Sequence, residues 1–105
     1  MSINYRFNEW RVSGEQAEVW SHNAYKLARL EVGRVSGMTI GAILYLHFIK
    51  GMTASRIRKA PIAFGLASST ITGIIRGTYC PDAYSLFQEM LKTEPEKLDI
   101  LFGTY

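Results

Sequence analysis

The chain has 105 residues, 48% apolar and 20% charged, with a net charge of +3, which excludes a disordered or fibrous chain and fits one globular domain with its own core. A single cysteine, Cys80, excludes an internal disulfide and reads as a buried, inert thiol. The most apolar run, residues 38–49, is a dozen residues interrupted by His47, short of the roughly 20 that a membrane span needs.

The opening, "MSINYRFNEWRVSGEQ", mixes charges with aromatics and lacks the apolar run of a signal peptide. A cytoplasmic location away from membranes is the expectation. Charge is distributed unevenly. Residues 1–31 balance four basic side chains against four acids, and residues 82–105 carry five acids against Lys92 and Lys97. Between them, residues 32–81 hold Arg34, Lys50, Arg56, Arg58, Lys59 and Arg76 and no acid at all. Such a block is the footprint of a polyanion, or a mostly buried centre that happens to lack carboxylates; composition leaves both readings open.

Strand-like alternation is weak and helix signals are frequent. "SGEQ" offers Ser13 as N-cap with Gln16 at capping-box spacing, and Ala17, Trp20, Ala24, Leu27 and Ala28 then share one face, predicting a helix over residues 14–32 that ends near Gly33. Thr39 is the expected cap of a second helix reaching residue 50. In it Ile40, Ile43, Leu44, His47 and Phe48 form a stripe flanked by Leu46 and Ile49, so this helix belongs at the centre of the core. With only His22 and Cys80 as other soft ligands beside His47, no metal site is expected.

"KGMTAS" supplies Gly51 as a stop and Thr53 as the next N-cap, opening a helix through Ile57 that carries Arg56, Arg58 and Lys59. Pro61 interrupts it, because a mid-helix proline removes a backbone donor and clashes with the preceding turn, at a cost of about 3 kcal/mol. The chain must kink or restart there, with Pro61 in a first turn. Gly65, Leu66 and Ala67 make a tight connection to a short helix capped by Ser68 or Ser69 and ended by Gly77. Asp82 is the expected cap of a further helix, with Tyr84, Phe87, Met90 and Leu91 inward. Thr93 and Glu96 stand at capping-box spacing before a last helix, with Pro95 in its first turn, the face Leu98, Ile100, Leu101 and Phe102, and Gly103 as stop. Six helices and an all-α fold follow.

Two helices joined by a glycine-containing turn, the second opening with small hydroxyl residues, form a helix-turn-helix. Residues 51–103 resemble the lambda-repressor-like (Cro/C1, XRE) DNA-binding family: "GMTASRI" is similar to its second-helix opening, "FGLASSTITGIIRG" to its turn and recognition helix, and "YCPDAYSLFQEMLKTEPEKLDILFG" to its closing helices. With the preceding helix included, the likeness extends to about 65 residues. It implies a bundle of about five helices over residues 36–105, with residues 1–35 as an extension bearing one further helix.

Each matched residue has a physical reason. Gly65 permits the positive φ of the sharp turn. Leu66, Ile71 and Ile74 point inward, which leaves Ser68, Ser69, Thr72, Gly73 and Arg76 facing the bases of a major groove. Gly73 on that face is either a close approach of backbone to ligand or a tolerated surface or helix-contact glycine. Lys50, Thr53, Ser55, Arg56, Arg58, Lys59 and Thr78 are the expected phosphate contacts. The chain also departs from the family pattern. Ala54 replaces the usual glutamine, Ile57 and Arg58 replace a Leu-Ala pair, and about three extra residues around "PIA" precede the turn. Three residues rotate a helix by about 300°, nearly a full turn, so the exposed face is almost preserved.

The resemblance implies a sequence-specific regulator on double-stranded DNA, a repressor of phage or plasmid type or an autoregulating antitoxin with a partner toxin. It implies a homodimer, since one recognition helix reads only a half-site. Tyr5, Phe7, Trp10, Val12, Val19, Trp20 and Tyr25 in the extension pack on the domain or form the dimer contact. No cofactor and no catalytic residue is expected, because no paired-carboxylate, Cys/His, Ser/His/Asp or phosphate-loop arrangement occurs and the two histidines lie far apart in sequence. The alternative is a protein-interaction module on the same scaffold that inhibits or sequesters a partner protein, a reading that the insertion at Pro61 and the missing glutamine favour.

Overall fold

The computed structural model describes residues 21–33 and 35–103. Six α-helices, one 3-10 turn and one two-stranded ladder make up these residues: α1 His22–Arg29, β1 Glu31–Val32, β2 Val35–Ser36, α2 Gly37–Phe48, α3 Ala54–Arg58, the 3-10 turn Pro61–Ala63, α4 Ser68–Arg76, α5 Pro81–Thr93 and α6 Pro95–Phe102. The expected mainly helical architecture is present.

α2 forms the centre. Ile40, Ile43, Leu44, Tyr45 and Leu46 are all buried, so almost its whole circumference is covered. α1, α3, α4, α5, α6 and the 3-10 turn pack around it. A helix apolar on nearly every side has to be enclosed in this way. His47 is half-buried, its Nδ1–H donating to the Met52 carbonyl at 2.9 Å, and Phe48 at the end of the stripe lies exposed against Tyr84 and Phe87.

Several helix starts fall elsewhere than expected. Ser13 lies outside the described residues; within them Ser21, extended at ψ 170°, caps α1 by accepting from the Ala24 N–H at 3.2 Å, and its hydroxyl donates to Glu94 of the last inter-helix joint. α1 ends at Arg29, not residue 32. Glu31 and Val32 instead pair antiparallel with Ser36 and Val35 around Gly33 at φ +62°. The β-branched valines suit that short ladder, which feeds directly into α2. Ser36, still extended at the ladder's end, therefore caps α2, accepting from the Thr39 N–H at 3.2 Å; Thr39 itself lies inside the helix. The division expected at residues 35 and 36 runs through this ladder, while α1 contributes Ala24, Leu27 and Ala28 to the core against α2 and α5. Of the extension's aromatic residues only Tyr25 lies among those described; it is half-buried, with the Arg29 guanidinium 5.3 Å from its ring centre.

Proline explains two further shifts. It takes the first helical position and keeps its predecessor out of the helical region, so Cys80 (ψ 88°) and Glu94 (ψ 56°) precede α5 and α6 as cap residues without side-chain capping bonds. Asp82 consequently sits in the first turn of α5 and Thr93 in the last, its hydroxyl donating to the Glu89 carbonyl at 2.9 Å. Ile100, expected in the buried face of α6, is 56% exposed, while Leu98, Leu101 and Phe102 are buried. Cys80 is buried as expected.

Candidate nucleic-acid interface

The segment that carries the helix-turn-helix resemblance is built from local chemistry. Thr53 caps α3 by accepting from the Arg56 N–H at 3.3 Å. α3 is only five residues long, and Ile57 is its buried anchor. The chain restarts at Pro61, as expected, in a 3-10 turn whose Ala63 is buried and which packs on α2. The extra residues around "PIA" thus form a separate 3-10 turn beyond the end of α3.

α4 begins immediately after the turn. Gly65 and Leu66 occupy the bend, which leaves Ala67 as the last extended residue and hence the cap, in place of Ser68 or Ser69. No side chain bonds the first-turn N–H groups. At the other end the Gly77 N–H donates to Ile74 O at 3.1 Å and the Thr78 N–H to Gly73 O at 3.0 Å, with Gly77 at φ +82°; this is a Schellman ending, which requires that left-handed residue. Tyr79 then ties the following turn to the ladder, its hydroxyl donating to the Val32 carbonyl at 3.0 Å. Both ends of α4 are fixed to the body.

Ile71 and Ile74 hold α4 to the core and are fully buried, with Leu66 half-buried beside them. At 100° per residue, Ser69 and Arg76 stand opposite the two isoleucines, flanked by Thr72 and Gly73, with Ser68 at the leading edge. Ser68, Ser69 and Arg76 are exposed and Thr72 is half-buried. Gly73, expected to face bases, is half-buried beneath the chain's own turn: its carbonyl accepts from the N–H groups of Thr78 and Tyr79, and a Cβ there would lie 3.3 Å from Tyr79 Cβ. A side chain at this position would press on Tyr79. Thr78, expected at a phosphate, donates its hydroxyl to the same carbonyl at 3.3 Å, so its proton is already used.

The other expected phosphate contacts divide into two groups. Lys50 is exposed, but its Nζ lies 5.7 Å from the centre of the Tyr45 ring, and the Tyr45 hydroxyl donates to Asp99 of α6 at 2.9 Å. Burial, that hydrogen bond and the Asp99 charge together raise the Tyr45 pKa. The second group is Thr53, Ser55, Arg56, Arg58 and Lys59, all exposed on or beside α3. Thr53 and Ser55 hydroxyls are 3.3 Å apart, so one proton of the pair stays available. Ser55, Arg58 and Lys59 line an open groove together with Pro61, Phe64 and Ser68. Arg58, standing where the family pattern has a small packed residue, is exposed in that groove.

Among the described residues no carboxylate lines the groove. Asp82, the first acid after the acid-free block, instead lines a separate cleft with His22, Lys26 and Arg29 of α1. Among the described residues the ion pair is Lys97 with Glu94 at 3.9 Å, and Arg56, Arg58, Lys59 and Arg76 have no acidic partner. Four uncompensated cations therefore lie on α3, at its end and on α4. Phe64, outside the expected contacts, is 91% exposed in this setting; its place beside Gly65, just after the Pro61 break, is the signal in the sequence that it occupies a turn corner.

No family model, curated protein or solved structure matches the chain. No helix among the described residues is long and apolar enough to cross a membrane.

Proposed function

We propose that the protein is a sequence-specific regulator that binds double-stranded DNA through a helix-turn-helix of lambda-repressor-like type, acting as a homodimer that represses transcription. α3 and α4 are the paired helices and α4 is the recognition helix. The observation that carries this reading is the two-sidedness of α4. Ile71 and Ile74 are fully buried, while its outer face presents Ser69, Thr72 and Arg76 beside three more cations that have no carboxylate partner among the described residues.

The roles follow from chemistry. Arg76 is the residue able to read a guanine edge with two hydrogen bonds, and Ser69 and Thr72 supply shorter hydroxyl contacts. Arg56, Arg58 and Lys59 meet the phosphate backbone, which sets register without carrying sequence information. The uncapped N–H groups at the start of α4 favour a phosphate at that end. A phage- or plasmid-type repressor and an autoregulating antitoxin use the same surface, and the DNA upstream of the protein's own gene is the natural first target.

The five-residue length of α3 favours the alternative, a module that keeps the scaffold and sequesters a partner protein. One experiment separates them. Binding to the upstream duplex and to random-sequence duplex is measured for the wild type and for Arg76→Ala. The DNA reading predicts tighter binding to the upstream site, and loss of roughly 1–3 kcal/mol with relaxed base preference in the variant. Equal or undetectable binding to all duplexes points to the alternative.

A further inference from the structure

Phe64 is 91% exposed, and the backbone accounts for this. The Leu66 N–H donates to the Ala63 carbonyl at 3.0 Å. Phe64 has φ −56° and ψ 130°, and Gly65 has φ +84°. These are the angles of a type II turn with Phe64 and Gly65 at its two corners. The ring is therefore displayed on a hydrogen-bonded turn anchored by buried Ala63, and not on a loose loop.

A single exposed apolar residue is ordinary on a soluble surface, but the surroundings of this one are unusual. Phe64 lines one groove with Arg58, Lys59 and Ser68, and the other large exposed apolar residues among those described, Phe48 and Ile100, lie outside that groove. The apolar core of a protein-binding patch has several large residues with charge at its rim; here, among the described residues, one aromatic ring stands with the two cations Arg58 and Lys59 along a groove otherwise lined by small or aliphatic side chains. That arrangement suits a duplex, whose phosphates meet the cations and whose major groove offers one apolar mark, the thymine C5-methyl. Ser68, the first residue of α4, shares the groove, so the ring stands at the end of α4 that would enter the DNA.

Resting on the reading of α4 as a recognition helix, we infer that Phe64 is a specificity-determining residue that packs against the methyl group of a thymine beside the α4 N-terminus. The test uses the full chain and the tightest duplex that the wild type selects from a random-sequence pool. Each thymine is replaced in turn by deoxyuridine, and affinities are measured for wild type and Phe64→Ala. One replacement per half-site should weaken the wild type by about fourfold, the worth of burying one methyl group, and leave Phe64→Ala unaffected. Phe64→Ala itself should bind the thymine duplex at least fourfold more weakly, with an unchanged melting temperature because the ring touches no core. Replacements that act equally on both proteins, or on neither, overturn the assignment of Phe64 while leaving DNA binding in place. A wild type that selects no duplex overturns the DNA reading itself.

Discussion

Replacing Ile71 by alanine tests which face of α4 belongs to the protein and which is left for a ligand. Ile71 is fully buried, and the substitution removes three carbons. At about 0.8 kcal/mol per buried methylene the transfer loss is about 2.4 kcal/mol. A cavity penalty raises the total to about 3–4 kcal/mol, because Ile74, also buried, and the packed α2 behind it limit collapse. With a urea dependence of about 1.5 kcal/mol per molar, the unfolding midpoint should fall by roughly 2 M. Thr72→Ala and Arg76→Ala, on the opposite side, should each stay within about 0.5 kcal/mol of wild type. Circular dichroism in a urea titration of the three variants reads this contrast directly. Equal midpoints for all three, or a larger loss for Arg76→Ala than for Ile71→Ala, would refute the orientation of α4 and with it the surface assigned to DNA.

Two glycines separate backbone strain from steric clash. Gly65→Ala places a Cβ in open space but at φ +84°, so it should cost about 1–2 kcal/mol from conformation alone. Gly77→Ala has the same strain and also sets its Cβ 2.8 Å from Tyr84 Cγ, so its melting temperature should fall further. Tyr45 predicts an alkaline effect: the folded phenol holds its proton more tightly than the unfolded chain does. Its contribution to stability is complete below about pH 10 and declines as pH rises through the higher folded-state value. Tyr45→Phe should therefore lose less stability than wild type above that pH, measured by denaturant unfolding across the range.

Much of the fold is legible as local chemistry. Gly51, Thr53, Pro61, Gly65 and Gly77 each act at their own position, because stops, caps and breaks depend on a few neighbouring residues. Thr39, Asp82 and Thr93 suit the cap position by type, yet the caps are Ser36, Cys80 and Glu94. A strand ending or a following proline fixes which residue stays outside the helix, and side-chain preference yields to that. The ladder at Glu31–Ser36 is not legible in the sequence, because two-residue strands leave no periodicity to detect. On the surface, the alternation of Ile71 and Ile74 with Ser69 and Arg76 followed from helical spacing. Gly73 and Thr78 did not, since their mutual contact depends on how the chain folds back after Gly77. The exposure of Phe64 is not legible in composition for a similar reason: a type II turn, not hydrophobicity, decides where the ring points.

The most direct test of DNA binding is the salt dependence of affinity for the selected duplex. If Arg56, Arg58 and Lys59 of each protomer meet phosphates, a dimer neutralises about six, and log K against log salt concentration should have a slope of about −5. Arg58→Gln should reduce the steepness by about 2, one phosphate per protomer. A flat dependence in the wild type, or no measurable affinity for any duplex at low salt, would contradict the account.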